Sequence, residues 1–127
     1  MTEFVLDASA VLALLQKEAG HEKVATALAG ARISTVNLAE VGSRLANLGR
    51  SAVQVRAVLL ALGLRIVTFD QDQAFEAARL RPLTRSLGLS LSDRACLALA
   101  RLQRLPAMTT DRAWRNLSLG IQIAVIR

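Results

Sequence analysis

The feature that most constrains the fold is a regular alternation of short apolar runs with longer stretches of helical periodicity. Runs with the length of a strand lie at 3–6, 32–35, 64–69, 107–111 and 121–126. Strands that alternate with helices pack as a parallel sheet covered by helices. We therefore predict an α/β fold with three layers, α/β/α.

Capping residues and helix breakers predict several helix boundaries. We expect Ser9, Ser51 and Ser92 to cap the helices that follow them. Pro82 has no backbone N–H, so we expect it to disturb the helix that begins near Asp72.

Length and composition indicate one domain and exclude several classes of protein. A chain of 127 residues has the usual size of one domain, so we treat 1–127 as a single unit. Its one cysteine, Cys96, excludes an internal disulfide and a cysteine-based metal site. The N-terminus lacks the basic start of a signal peptide, and the longest apolar stretch, 57–64, is too short to cross a bilayer. We expect a cytoplasmic protein that does not enter membranes.

The charge balance favours a polyanionic partner. The chain carries 16 Lys and Arg against 10 Asp and Glu, a net charge of +6, and fourteen of the sixteen bases are arginine. The planar guanidinium group suits phosphate and carboxylate, so a nucleic acid backbone is one partner that would fit. Genomic composition or an acidic protein partner explains the arginines equally well.

Four acidic residues predict a metal site. Asp7 and Asp111 end two of the apolar runs, whereas Glu40 and Asp93 lie near the starts of helical stretches. Because the carboxyl ends of parallel strands gather at one edge of a sheet, we expect these carboxylates to converge. Each pair of charges at ~4 Å would repel by about 1 kcal/mol in water and ~4 at an effective dielectric of 20. Mg²⁺ or Mn²⁺ would relieve this repulsion, because hard cations prefer oxygen ligands.

Three of the acids also have ordinary explanations. Asp7 and Asp111 each precede a helical turn, where a negative charge is favoured by ~0.3–1 kcal/mol. Glu40 is four residues before Arg44, and such a surface pair contributes ~0.3–0.5 kcal/mol. Only the set of four makes the metal site the better explanation.

Asp93 is harder to explain as a surface residue. Cys96 and Leu97 share its helix face, so we expect its side chain to point toward the protein while Arg94 points outward. A buried carboxylate needs a partner or a metal ion.

A hydrated cation held by carboxylates supports hydrolysis of phosphodiesters, because the ion activates water and orients the scissile phosphate. Ser9, Asn37 and Thr110 are near the acids in sequence and would position ligands or water, although each is as readily a simple cap. No histidine or cysteine cluster suggests zinc, and we expect the lone His21 at the surface.

These residues resemble the PIN-domain nucleases, in particular VapC-type toxins of prokaryotic toxin–antitoxin pairs. The resemblance spans the chain and rests on VLDASA at 5–10, NLAEV at 37–41, LSLSDRACLALA at 89–100 and TTDRAW at 109–114. The segments are fairly specific as a set, whereas no single one would be.

The resemblance implies a PIN-like fold with a five-stranded parallel sheet and a ribonuclease that depends on Mg²⁺ or Mn²⁺. It implies that Asp7, Asp93 and Asp111 hold the ion and that Glu40 binds it or orients water. It also implies a homodimer and neutralisation by a small antitoxin that directs a basic side chain toward the acids. Arg94 stands where many members of the family carry a small residue.

Other α/β classes fit less well. A receiver-type domain needs paired acids after its first strand and a late lysine; Asp70 imitates its phosphoacceptor, but Asp7 is single and the lysines are Lys17 and Lys23. A haloacid-dehalogenase-like phosphatase needs a second aspartate where Ser9 stands.

Binding modules without catalysis are the remaining alternatives. A nucleotide-binding module would have a glycine-rich loop after the first strand, which this chain lacks. A passive RNA-binding module would expose stacking aromatics, whereas we expect Phe4, Phe69, Phe75 and Trp114 in the core. A non-catalytic protein-interaction domain or a receiver-like magnesium-binding domain is the alternative to the nuclease.

Overall fold

The structure, a computed structural model, describes residues 2–127. It contains a five-stranded sheet in the order β3-β2-β1-β4-β5. All paired strands are parallel, which confirms the predicted sheet. The strands are β1 (Val5–Leu6), β2 (Arg32–Ser34), β3 (Arg65–Val67), β4 (Ala107–Thr109) and β5 (Ile123–Val125).

Helices connect the strands. The α-helices are α1 (Ala8–Leu15), α2 (His21–Ala27), α3 (Thr35–Asn47), α4 (Ala52–Ala61), α5 (Gln71–Thr84) and α6 (Leu91–Gln103), and two short 3-10 helices span Arg85–Leu87 and Arg112–Asn116. Within residues 2–127 no helix is long and apolar enough to span a membrane.

The sheet separates two apolar clusters, which confirms the three layers. Leu6 and Ile33 pack with residues of α1 to α4 on one side, whereas Val5 packs with Leu80 and Leu97 of α5 and α6 on the other. Val5 and Leu6 face opposite sides because successive side chains in a strand alternate.

The strands are shorter than the apolar runs predict. β3 ends at Val67 and β4 at Thr109 because the backbone beyond them bonds to side chains instead of to a neighbouring strand. The Phe69 amide donates to the Thr35 hydroxyl, and the Thr110 amide donates to the Ser9 hydroxyl. Both turns lie at the edge of the sheet where the acids were predicted.

Two of the three predicted caps are wrong. Ser51 caps α4 as predicted, but α1 begins at Ala8, so Ser9 lies inside the helix and Asp7 takes the N-cap position. The N-cap of α6 is Ser90 and not Ser92.

Asp93 decides which serine caps α6. The Ser90 hydroxyl accepts from the Asp93 amide, and the Asp93 carboxylate accepts from the Ser90 amide. This reciprocal pair requires an acid three residues after the cap, a spacing that Ser92 does not have.

α5 continues through Pro82 to Thr84, so the predicted disturbance at Pro82 is wrong. Because proline has no N–H, the carbonyl of Ala78, four residues earlier, loses its hydrogen-bond partner. Both residues are exposed, so water can bond to this carbonyl instead.

The predicted outward orientation of Arg94 is also wrong. Its side chain is half-buried, and its guanidinium donates to the Ala77 carbonyl of α5.

Trp114 is fully buried as predicted, but Phe75 is 68% exposed, so its predicted core position is wrong. Gln73 and Ala77 face the core from α5. Phe75 lies two residues from each of them, and residues two apart on a helix point to roughly opposite sides.

Candidate functional site

The predicted site residues lie where strands end and helices begin. Asp7 follows the central strand β1, and Asp111 follows its neighbour β4. Asn37, in the first turn of α3, lies 3.5 Å from the Asp7 carboxylate and donates to the Ser92 carbonyl at 3.0 Å. The starts of α3 and α6 therefore meet at Asp7.

Asp7 is the buried centre of this region, with only 4% of its surface exposed. Its pKa is raised from the usual 3.8 to about 6, and burial is the main cause. Hydrogen bonds from Ser9 and Thr109 lower the pKa, whereas the negative charges of Asp93 and Glu40 raise it. The fold thus brings Asp93 and Glu40 close enough to repel the Asp7 charge.

One oxygen of Asp7 is held by two hydroxyl groups. Ser9 donates to Oδ2 at 2.7 Å and Thr109 donates to the same atom at 3.1 Å. Among the described residues, 2–127, the contact of the other oxygen, Oδ1, is with Asn37 Nδ2 at 3.5 Å. The carboxylate is therefore oriented through Oδ2, which leaves Oδ1 for a further ligand.

The same two hydroxyls hold the turn that carries Asp111. Ser9 Oγ accepts from the Thr110 amide at 3.1 Å, and Thr109 Oγ1 accepts from the Asp111 amide at 3.1 Å. Sequence reasoning missed Thr109 and named Thr110, which takes part through its backbone. The alternation of side chains along a strand is the signal that would have indicated Thr109, because Thr109 is two residues before Asp111 in a buried run.

Asp93 and Asp111 each use one oxygen to cap a helical turn. Asp93 Oδ2 accepts from the Ser90 amide and Asp111 Oδ1 from the Ala113 amide, both at 2.9 Å. Asp93 is half-buried and Asp111 is exposed. In the part of the chain that the structure describes, the second oxygen of each has no hydrogen bond. The capping explanation for Asp111 thus holds, and it leaves one oxygen available.

Glu40 lies on the exposed side of α3, one turn beyond Asn37. Among residues 2–127 it forms no ion pair with Arg44, so the surface pair that would explain it is not made. The charge of Glu40 instead acts on Asp7.

Cys96 lies behind the acids. Its thiol is fully buried, and burial together with the charges of Asp7 and Asp93 raises its pKa well above the usual value. A thiol held neutral in this way is a packing group and not a nucleophile.

The sequence and fold identify the family. The family model of the PIN domain matches residues 4–119. The chain belongs to the PIN domain family. This confirms the predicted resemblance. No curated protein matches the chain closely enough in sequence to indicate a relationship.

Solved structures share the fold of this PIN domain over nearly its whole length. A toxin–antitoxin complex from Klebsiella pneumoniae is 22% identical with a TM-score of 0.72, covering 94% of this chain and 95% of that one. The DNA-bound VapBC of Salmonella typhimurium is 19% identical with a TM-score of 0.70, and each chain is covered completely. Mycobacterium tuberculosis VapC20, described as a sarcin–ricin loop cleaving toxin, is 18% identical with a TM-score of 0.74, covering 94% and 99%.

The donors at the site suit a hard, hydrated cation. Within residues 2–127 no group of three His, Cys, Asp or Glu side chains is placed so that it could hold a metal ion. The chemistry of the donors nevertheless fits Mg²⁺ or Mn²⁺, since they are carboxylate oxygens with no nitrogen or sulfur ligand among them. Asp7 also carries a charge that burial opposes and that a cation would stabilise. The assignment of all four acids as ligands stays a prediction.

Proposed function

We propose that this PIN domain is a metal-dependent endoribonuclease that acts as the toxin of a type II toxin–antitoxin pair. The observation that carries the proposal is Asp7: a buried carboxylate whose pKa is raised by burial and by Asp93 and Glu40. Such a group lowers the stability of the folded protein at neutral pH. A cation that binds the folded state would offset this cost.

Asp7, Asp93 and Asp111 would hold Mg²⁺ or Mn²⁺, and Glu40 would bind the ion or orient water. When bound, the ion would activate a water molecule and neutralise charge on the phosphate. The chain itself positions these groups. Ser9 holds Asp7 through Oδ2, as does Thr109.

RNA is the proposed substrate. The net charge of +6 is set almost wholly by arginine, whose guanidinium suits a phosphate backbone. The resemblance to VapC-type toxins supports RNA over DNA, as does the fold shared with a toxin described as cleaving the sarcin–ricin loop.

We propose a small antitoxin as the protein partner, with the groove between α3 and α4 as its docking site. This groove is a cavity of about 470 Å³. Its lining is almost entirely apolar and includes Leu38, Ala46, Val55, Leu59 and Leu60.

The charge around the groove indicates the chemistry of its occupant. The residues that line the groove lie within 38–66, a stretch that contains four arginines and a single acid, Glu40. A second copy of this chain docked on the same face would place arginine against arginine. An amphipathic antitoxin helix with an apolar face and acidic flanks would fit instead. The proposed homodimer would therefore use another surface.

The catalytic proposal is tested with purified protein, RNA and either Mn²⁺ or EDTA. We expect cleavage with Mn²⁺ that EDTA abolishes, and loss of both cleavage and growth arrest in Asp7→Asn and Asp93→Asn. Asp72→Asn is the control, because Asp72 is an exposed acid outside the site. Wild-type rates in either site variant would refute the assignment. Binding of Mn²⁺ with no cleavage of any RNA would favour the non-catalytic alternative.

The partner proposal is tested with paired surface variants. Leu60 lies in the groove and is 53% exposed, and Leu83 on α5 is 54% exposed. We expect Leu60→Glu to prevent rescue of growth by the co-expressed product of the adjacent reading frame, whereas Leu83→Glu should be rescued like the wild type. Full rescue of Leu60→Glu would exclude the groove as the docking site.

A further inference from the structure

Helix α5 carries a second apolar stripe on the side that faces away from the core. Ala77 and Leu80 are buried and pack against the rest of the protein. Phe75, Ala78 and Pro82 lie on the other side and are exposed, and Phe75 has 68% of its surface in solvent. A helix that is apolar on two sides has one more face than its own core buries.

The exposed stripe has the spacing at which two paired helices contact each other. Its members are separated alternately by four and three residues, and all of them are exposed: Gln71, Phe75, Ala78, Pro82 and Arg85. Ala78 lies at the midpoint, where a small side chain lets a second helix approach closely. Leu83 follows Pro82 by one residue, about 100° further round the helix, and lies outside the stripe. The exposed stripe therefore suits a second helix.

The charges along α5 indicate which helix would fit. The exposed acids Asp70 and Asp72 lie at its N-terminal end, and the exposed bases Arg81 and Arg85 lie at its C-terminal end. Two copies of α5 packed antiparallel would place the acidic end of each against the basic end of the other. Their helix dipoles would also be opposed, which is favourable. The groove between α3 and α4 lacks this property, because a second copy would place arginine against arginine there.

We propose that the exposed stripe of α5 is the homodimer interface of this protein, with two α5 helices packed antiparallel about a two-fold axis at Ala78. The axis makes the contact identical for both copies and closes the assembly at two. Phe75 of each copy packs near Pro82 of the other. The inference rests on the homodimer proposed above and names the surface that forms it.

The first test measures the mass of the protein in solution over a range of concentrations, by light scattering or sedimentation. We expect a wild-type dimer, and a dissociation constant raised ~30-fold or more in Phe75→Glu, because a central aromatic residue is a typical hot spot. Val53→Glu is the control and should dimerise like the wild type, since Val53 is 80% exposed on α4, outside the stripe. Wild-type dimerisation of Phe75→Glu, or a monomeric Val53→Glu, would overturn the proposal.

The second test determines the orientation of the helices by oxidation with diamide. Cys96 is buried, so it does not compete with an introduced cysteine. Two antiparallel helices centred on Ala78 bring its two copies within the ~7 Å between Cα atoms that a disulfide spans. The two copies of Gln71 are then about 20 Å apart at ~1.5 Å per residue. We expect Ala78→Cys to crosslink and Gln71→Cys not to. Crosslinking of Gln71→Cys, or none of Ala78→Cys, would refute this packing.

These outcomes separate the interface from the other proposals. A monomeric wild type would overturn the interface and the proposed homodimer together. If Phe75→Glu then also escaped rescue by the product of the adjacent reading frame, the stripe would belong to the antitoxin. A dimeric wild type with an unaffected Phe75→Glu would overturn this inference alone. Cleavage of RNA with Mn²⁺ is measured independently of mass, so the nuclease proposal does not depend on either result.

Discussion

Replacing Asp7 by asparagine is expected to stabilise the metal-free protein. The carboxylate is 4% exposed, and its pKa is raised from 3.8 to about 6. At 1.36 kcal/mol per pKa unit, this shift corresponds to about 3 kcal/mol of stability lost at neutral pH. Asparagine keeps an oxygen that can accept from Ser9 and Thr109 and carries no charge. The gain is therefore up to about 3 kcal/mol, a large part of the ~5–15 kcal/mol that stabilises a domain.

The sign of the effect depends on pH. Between pH 3.8 and about 6 the folded protein keeps a proton on Asp7 that the unfolded chain has lost. The contribution of Asp7 to stability therefore falls as pH rises through this window and is constant above it. Asp7→Asn removes this dependence, so its advantage over the wild type should be near zero at pH 3.5 and largest at pH 7.5.

The assay is urea unfolding in EDTA at several pH values, with Asp72→Asn as the control. Asp72 lies in the first turn of α5, so this variant should lose ~0.3–1 kcal/mol at neutral pH and should not gain stability. Adding Mn²⁺ should then reverse the order, because only the wild type gains binding free energy from the ion. The reasoning fails if metal-free Asp7→Asn is less stable than the wild type at pH 7.5, or if the difference between them does not vary with pH.

Two further substitutions test the contacts that position the acids. Ser90→Ala should cost ~1 kcal/mol, because it removes the cap of α6, whereas Ser92→Ala should cost much less; equal urea midpoints for the two variants would contradict the assignment of the cap. Thr109→Val should cost ~1–3 kcal/mol, since it leaves the Asp111 amide and one Asp7 hydrogen bond without their partner. It should also raise the pKa of Asp7 further, which a change of unfolding free energy with pH would detect.

Sequence reasoning reached the sheet and the placement of the acids because both follow from local order. The runs at 3–6 and 107–111 each have the length of a strand, and each is followed by a helical turn, so the acid at the end of each run is expected at the same edge of a parallel sheet. That the two strands are neighbours is given by the fold and not by the sequence.

The errors arise where two local choices are similar and a contact decides between them. Ser90 and Ser92 are both good caps, and the bond to Asp93 selects the first. In the sequence Thr109 has the character of an ordinary strand residue. Its hydrogen bond to Asp7 depends on the pairing of β4 with β1, which brings the two side chains together. Phe75 was misplaced for a different reason, since the face of α5 that is buried depends on how the helix packs on α6.

The position of each acid in the sheet explains why Asp7 differs from Asp111. Asp7 follows the central strand, where helices cover both faces, and is almost fully buried. Asp111 follows the next strand and enters an exposed turn, where water solvates its charge. Desolvation therefore acts mainly on Asp7, so cation binding should relieve more unfavourable free energy there than at Asp111. We accordingly expect Asp111→Asn to weaken Mn²⁺ binding without the stabilisation of the metal-free protein that Asp7→Asn should produce, and equal stabilisation by both would contradict this account.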